Sequence, residues 1–160
     1  MKHRKLHDLT PVELLQTHGA VIDELMRRNI VRTRNNPIGD YTEWLVCHRL
    51  DLEMLANSKA SIDAVDPAGI QYQIKGRQSE DKRVQFSAIR NLDEQTFDFV
   101  IAVVFHRDYS IRFAVRMTHA AVLSNSVYRQ HVNAHILILS DDVIALHGVE
   151  DIAGDLIGRS

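Results

Sequence analysis

The apolar residues of the first third of the chain recur at the three- and four-residue spacing of an α-helix. A first helix is predicted over residues 11–29, because Thr10-Pro11-Val12-Glu13 supplies an N-cap hydroxyl, a proline at the first helical position and a glutamate that can close a capping box. A polar connector, residues 32–37, separates it from a second helix, predicted from about Gly39 to Leu50. Helices therefore dominate this part of the chain.

After a loop predicted over residues 51–60, apolar and polar residues alternate with the period of β-strands. Strands are predicted over residues 61–65, 70–75, 97–105, 109–115 and 134–139, a helical turn over 118–123, and one or two short helices after residue 141. Residues 99–104 are continuously apolar, which is typical of a strand covered on both faces. This order predicts an α+β fold with a central mixed, mainly antiparallel sheet flanked by helices on both faces.

Composition narrows the class of protein. The 160 residues are 45% hydrophobic and carry a formal net charge of −2, which predicts one globular domain over residues 1–160, with residues 1–34 as an N-terminal helical extension. The single cysteine, Cys47, can form no disulfide within the chain, so a reducing cytoplasm and a core-packing role for its side chain are expected. No signal peptide is recognised, and no apolar run approaches the ~20 residues of a membrane helix, so no membrane association is expected.

The segment Asp66-Pro67-Ala68-Gly69 is a hairpin signal with two possible registers. In a two-residue loop, Asp63 faces Tyr72, and Gln73 lies on the opposite face of the sheet. In a three-residue loop, Pro67 and Ala68 form a type I turn and Gly69 takes a left-handed conformation as a bulge. Proline does not fit the second corner of the primed two-residue turns, so we expect the three-residue loop.

The three-residue loop brings three polar side chains to one face of the hairpin. It pairs Asp63 with Gln73, and Lys75 shares their face opposite Ser61. A carboxylate and an amide oxygen can hold Mg²⁺, which keeps several waters and also binds phosphate oxygens, while an ammonium stabilises charge developing on a phosphoryl group. The trio predicts metal-assisted hydrolysis of a phosphodiester. The alternative is a strand with ordinary polar residues on its solvent face.

These residues resemble the motifs of the PD-(D/E)XK, or restriction-endonuclease-like, superfamily: an acidic residue on the first core helix, an Asp near a strand end, and (E/D/Q)-x-K on the next strand. Glu43 in GDYTEWL, Asp63 in SIDAV and Gln73-Ile74-Lys75 match in that order, within about residues 37–105. Two departures are that no proline precedes Asp63 and that Gln73 replaces the usual Glu, which is similar to the Mrr-like branch. Asp66 is a candidate compensating carboxylate, although capping of its own turn explains it better.

The resemblance implies a restriction-endonuclease-like core and a divalent-metal-dependent DNA endonuclease, related to restriction or repair. It implies that Asp63, Gln73 and the Ile74 carbonyl bind Mg²⁺ or Mn²⁺. It further implies that Lys75 assists the nucleophile and that Glu43 is an auxiliary acid or ligand. A homodimer is compatible with this chemistry, because a one-metal site cuts one strand and two-fold symmetry supplies the second cut.

Basic side chains follow the third motif directly. Arg77, Lys82 and Arg83 belong to residues 75–90, whose charges sum to +3, and they can contact the phosphate backbone of DNA without reading its sequence. Two other functions stay open at this point. One is a catalytically inactive nucleic-acid- or protein-binding module on the same fold, and the other is an immunity or regulatory protein whose last twenty residues, with a net charge of −4, meet a basic partner.

Overall fold

The computed structural model describes residues 5–56 and 62–158, and these contain α-helices and β-strands in mixed order. The α-helices are α1 (Pro11–Arg27), α2 (Ile38–Leu50), α3 (His119–Ser124) and α4 (Ala153–Ile157). The strands are β1 (Glu53–Met54), β2 (Ala64–Val65), β3 (Gln71–Gln78), β4 (Val84–Gln85), β5 (Phe99–Phe105), β6 (Ile111–Thr118), β7 (Ser126–Arg129), β8 (Ala134–Leu139) and β9 (Val149–Asp151). Short 3-10 helices are formed by Leu6–Asp8, Leu92–Glu94, Gln130–Val132 and Asp141–Ala145.

The strands form two sheets. The larger has six strands in the order β1-β2-β3-β5-β6-β9, and the smaller has three in the order β4-β8-β7. Within the larger sheet, β3 and β5 pair in parallel, whereas the other neighbours are antiparallel. The predicted α+β class and the mixed, mainly antiparallel sheet are confirmed. The parallel pair arises because the chain leaves the larger sheet after β3, adds β4 to the smaller sheet, and only then returns as β5.

Strand β5 is buried on both faces, as its continuous apolar sequence predicted. One face, including Val100 and Val104, packs against side chains of the smaller sheet and α3. The other face, including Ile101 and Val103, packs against α2 and α4. The prediction of helices on both faces is therefore incomplete: α2 and α4 cover one face, but on the other the smaller sheet covers β5 together with α3.

Both predicted N-terminal helices form. The Thr10 amide donates to the Glu13 carboxylate at 2.8 Å in the expected capping box. Helix α1 ends at Arg27, two residues before the predicted boundary. In α1 only Ile22 is buried, whereas α2 buries four residues, namely Thr42, Leu45, Val46 and Cys47. Burial of Cys47 confirms its expected packing role. No helix in the described ranges has the length and apolar character needed to cross a membrane.

The differences from the predicted strands have local causes. Strand β1 lies within the predicted loop 51–60, and strand β7 was not predicted. Both are short, and they are strands because they pair with neighbouring strands rather than because of their own sequence pattern. The strand predicted from residue 109 begins at Ile111, since Tyr109 adopts a left-handed φ of 66° in the preceding turn, where glycine would be more usual.

The hairpin between β2 and β3 has the expected three-residue loop. The Gly69 amide donates to the Asp66 carbonyl at 2.9 Å, and the Asp66 amide donates to the Ile70 carbonyl at 3.0 Å. Gly69 has a φ of +84°, as the bulged turn requires. The Asp66 carboxylate accepts the Ala68 and Ile70 amides at 2.9 Å each, which confirms its turn-capping interpretation.

The positive φ of Gly69 leads to a stability prediction. We expect Gly69→Ala to lower the free energy of unfolding by about 1–2 kcal/mol, because a Cβ disfavours this backbone conformation although no atom lies within 4 Å of it. The matched control is Gly154→Ala in α4, where the Cβ site is equally open and φ is not positive, so stability should stay constant or rise by up to about 1 kcal/mol. Urea unfolding of both variants makes the comparison, and equal effects would contradict the turn assignment.

Candidate active site

The candidate site lies where β2 separates from β3. Regular pairing ends at Ala64 and Tyr72, in the register that extends to Asp63 opposite Gln73. The backbone of Asp63 is fixed on two sides, since its amide donates to the Tyr72 carbonyl at 2.8 Å and its carbonyl accepts the Leu55 amide at 2.9 Å. Its carboxylate then accepts the Ile74 amide at 2.7 Å. The Asp63 side chain thus gives the Ile74 amide the hydrogen bond that the backbone of a longer β2 would have provided.

Gln73 and Lys75 follow at alternate positions of β3 and share one face of the strand. Gln73 is 7% exposed, and its Oε1 has no hydrogen-bond partner in the described part of the chain. Lys75 is partly buried. Ala64 and Ile74 belong to the apolar cluster around α2, as expected for the opposite face of the hairpin. Ser61, the predicted partner of Lys75, lies outside the described residues.

Glu43 reaches this edge because α2 lies very close to β3. A Cβ on Gly76 would be only 2.7 Å from the Thr42 Cβ and 3.1 Å from the Ile38 carbonyl oxygen, so only glycine fits there without a shift. The Thr42 hydroxyl donates to the same Ile38 carbonyl at 2.5 Å. Thr42 directly precedes Glu43 on the helix, and Gly76 directly follows Lys75 on the strand. Their contact therefore brings the segments that carry these two site residues together.

The three charged groups act on one another. Burial raises the pKa of Glu43 to about 7, and the nearby Asp63 charge adds to this rise, while Arg32 and Lys75 oppose it. Burial also raises the pKa of Asp63, against the Ile74 hydrogen bond and the Lys75 charge. The pKa of Lys75 is lowered by burial, although both carboxylates favour its charged form. The charges of Asp63 and Lys75 therefore both reach Glu43, and the assignment of these three residues to one active site stays a prediction.

The raised pKa of Glu43 gives a pH dependence of stability. Between its ordinary value of 4.5 and about 7, the folded protein keeps a proton on Glu43 that the unfolded chain releases, so the free energy of unfolding falls as pH rises through this window. The loss of unfolding free energy over this window is up to about 3 kcal/mol, and Glu43 causes no further loss above about pH 7. In urea unfolding with EDTA present, Glu43→Gln should lose less stability between these pH values than the parent. Parallel pH profiles would contradict this prediction.

The predicted DNA-contacting residues lie beyond Lys75 along the chain. Arg77 is exposed and shares the strand face of Gln73 and Lys75, while Lys82 and Arg83 are exposed in the loop before β4. The acidic residues of this loop have partners other than its basic side chains. Glu80 pairs with His106 at 2.9 Å, and Asp81 accepts the Ser79 hydroxyl at 3.2 Å. The loop therefore presents its basic side chains to solvent.

Sequence reasoning missed two arginines that organise these segments. Arg112 donates to the carbonyls of Ser79 and Asp81 at 3.0 and 2.9 Å and so anchors the basic loop. Arg32, in the connector before α2, forms an ion pair with Glu43. Neither is marked by a motif, because each contacts residues that are close in space but separated along the sequence.

Two further observations bear on the site. Among the described residues, no three or more His, Cys, Asp or Glu side chains form a metal-binding group, and the predicted ligands include one such residue, Asp63, beside an amide and a backbone carbonyl. A scan against models of protein families finds no match to the chain, and a search of curated proteins finds none either. The resemblance to the restriction-endonuclease-like superfamily therefore depends on the four matched residues, their order and their elements.

Proposed function

We propose that the protein is a divalent-metal-dependent DNA endonuclease with a restriction-endonuclease-like core. The single observation that carries this proposal is the Gln73 side chain, whose Oε1 is buried without a hydrogen-bond partner in the described ranges, next to the register position of Asp63. Buried acceptors are nearly always satisfied, and a bound ion is one of the few explanations for an exception. A site that binds a cation would give this oxygen its partner.

The donors fit Mg²⁺ or Mn²⁺. The Asp63 carboxylate, the Gln73 Oε1 and the Ile74 carbonyl are oxygen ligands of the kind that hard cations prefer, and Mg²⁺ is usually held by one or two carboxylates with waters and phosphate oxygens. Glu43 is the second carboxylate near this group, because the charge of Asp63 acts on it. When bound, the metal would polarise the scissile phosphoryl group and lower the pKa of a coordinated water.

The remaining side chains have distinct roles in this proposal. The Lys75 ammonium, whose charged form is favoured by Asp63 and Glu43, orients the attacking water and stabilises the negative charge that develops on the phosphate. Arg77, Lys82 and Arg83 bind the phosphate backbone of a DNA duplex and position it over the site. Their contacts carry no base specificity, so sequence preference must come from other features of the complex.

Plasmid cleavage tests the proposal. Supercoiled DNA is incubated with the full chain in Mg²⁺, in Mn²⁺ and in EDTA, and we expect conversion only with metal. Direct formation of linear DNA would support the homodimer, in which two sites cut both strands, whereas accumulation of nicked circles would indicate a single site acting alone.

The main rival is a non-catalytic nucleic-acid-binding module on the same fold, favoured by the neutral Gln73 in place of an acid. It predicts DNA binding that EDTA does not change and no cleavage with either metal. Failure to cut in both metals, with DNA binding unaffected by Asp63→Asn, would overturn the nuclease proposal in favour of this rival.

A further inference from the structure

The connector before α2 places Arg32 at the edge of the candidate site. The backbone amides of Arg32 and Thr33 both donate to the Asp40 carboxylate at 2.8 Å. Asp40 lies in the first turn of α2, one helical turn before Glu43. The connector is therefore fixed to the helix that carries Glu43, and the Arg32 side chain starts from a defined position.

The Arg32 guanidinium joins three segments of the chain. It forms an ion pair with Glu43 on α2, it lies 4.0 Å from the Asp40 carboxylate, and it is 3.4 Å from the Leu55 carbonyl that follows β1. Its charge also acts on Asp63. The side chain is nevertheless 38% exposed, so its guanidinium can turn towards solvent without opening the core.

Arg32 supplies positive charge to the site without a metal ion. Its charge acts on both Glu43 and Asp63, as does that of Lys75. A divalent cation entering beside Glu43 meets the Arg32 guanidinium, which occupies one of its proposed ligands and repels it. A phosphodiester oxygen is a good alternative partner for the guanidinium, because arginine binds phosphate through paired hydrogen bonds.

We propose that Arg32 is an exchangeable positioning residue that couples metal binding to phosphate binding. Without substrate it holds Glu43, and with substrate it transfers to a phosphate oxygen of the DNA backbone and leaves Glu43 to the divalent cation. This inference rests on the proposed function, since it requires the metal and phosphate site described above. It assigns a positioning role to a residue outside the three sequence motifs.

Titration of Mn²⁺ without DNA tests the exchange directly by calorimetry. We expect Arg32→Gln to bind Mn²⁺ about tenfold more tightly than the parent, because the competing cation is gone. Arg32→Lys keeps the charge but has a more compact head group, so its Mn²⁺ affinity should rise by only about threefold. This variant provides the test if the glutamine variant does not fold. The matched control is Arg34→Gln on the same connector, where the arginine pairs with Asp23 instead, and its Mn²⁺ affinity should equal that of the parent.

A second titration, with a short DNA duplex present, separates the possible results. In the parent, DNA should tighten Mn²⁺ binding, and by reciprocity Mn²⁺ should tighten DNA binding by the same factor, whereas in Arg32→Gln this factor should approach one. Unchanged or weaker Mn²⁺ binding by both Arg32 variants, with the parent binding Mn²⁺, would overturn the exchange and leave the metal site standing. Absence of Mn²⁺ binding in the parent and in all three variants would overturn the metal site itself, and the exchange with it.

Discussion

Replacing Lys75 by Ala is expected to reduce the rate of DNA cleavage by about 10²–10³-fold, the usual effect of removing one donor that stabilises charge in a transition state. Burial lowers the pKa of this side chain, whereas the charges of Asp63 and Glu43 both favour its charged form. Its loss therefore removes the positive charge that we assign to orienting the proposed water and stabilising the phosphate. Single-turnover cleavage of a plasmid in Mg²⁺ measures the effect.

The control for this variant is Lys5→Ala, because Lys5 is exposed and lies outside the site. The Lys5 variant should cut at the parental rate, and the Lys75 variant should retain DNA binding, since its role is in the chemical step. A Lys75→Ala protein that is folded, binds DNA and cuts within about threefold of the parent would contradict the assigned role.

Gly76→Ala is expected to lower the free energy of unfolding by about 3 kcal/mol, the cost of overpacking a close contact. The new Cβ would lie 2.7 Å from the Thr42 Cβ, so α2 must move away from β3. Movement of α2 also displaces Glu43, and cleavage should fall even at temperatures where the variant is folded. Urea unfolding gives the stability, and the plasmid assay gives the activity.

A double-mutant cycle shows whether this contact is the cause. Thr42→Gly removes the side chain that the new methyl group meets, so Gly76→Ala should cost about 1–2 kcal/mol less in the Thr42→Gly background than in the parent. Additive effects of the two substitutions would mean that the loss arises elsewhere, and the close approach of helix and strand would then not explain the position of Glu43.

The part of the site that sequence could predict is governed by local chemistry. The turn at Asp66 and Gly69 depends on φ preferences and on short side-chain hydrogen bonds, and these alone determine that Asp63 extends opposite Gln73. The α1 capping box is local in the same way, with Thr10 and Glu13 three residues apart. Such features depend little on the rest of the molecule, so they can be predicted from neighbouring residues.

The part that sequence could not predict depends on contacts between distant segments. The parallel pairing of β3 with β5 and the separate sheet containing β4 require a choice among strands of similar apolar pattern. The ion pair of Arg32 with Glu43 spans eleven positions and has no periodic signature. Gly76 carried no signal either, because its role becomes visible only when Thr42 of α2 lies against it.

The most direct measurement is an anomalous-scattering map of crystals soaked in Mn²⁺. A peak within about 2.0–2.5 Å of both the Asp63 carboxylate and the Gln73 Oε1 is the predicted result, since these are oxygen-to-metal distances for such ions. It would also give the buried amide oxygen the partner that the described residues do not provide. If crystals fully soaked in Mn²⁺ give a map with no peak between these two side chains, that result would contradict the metal site and with it the nuclease mechanism.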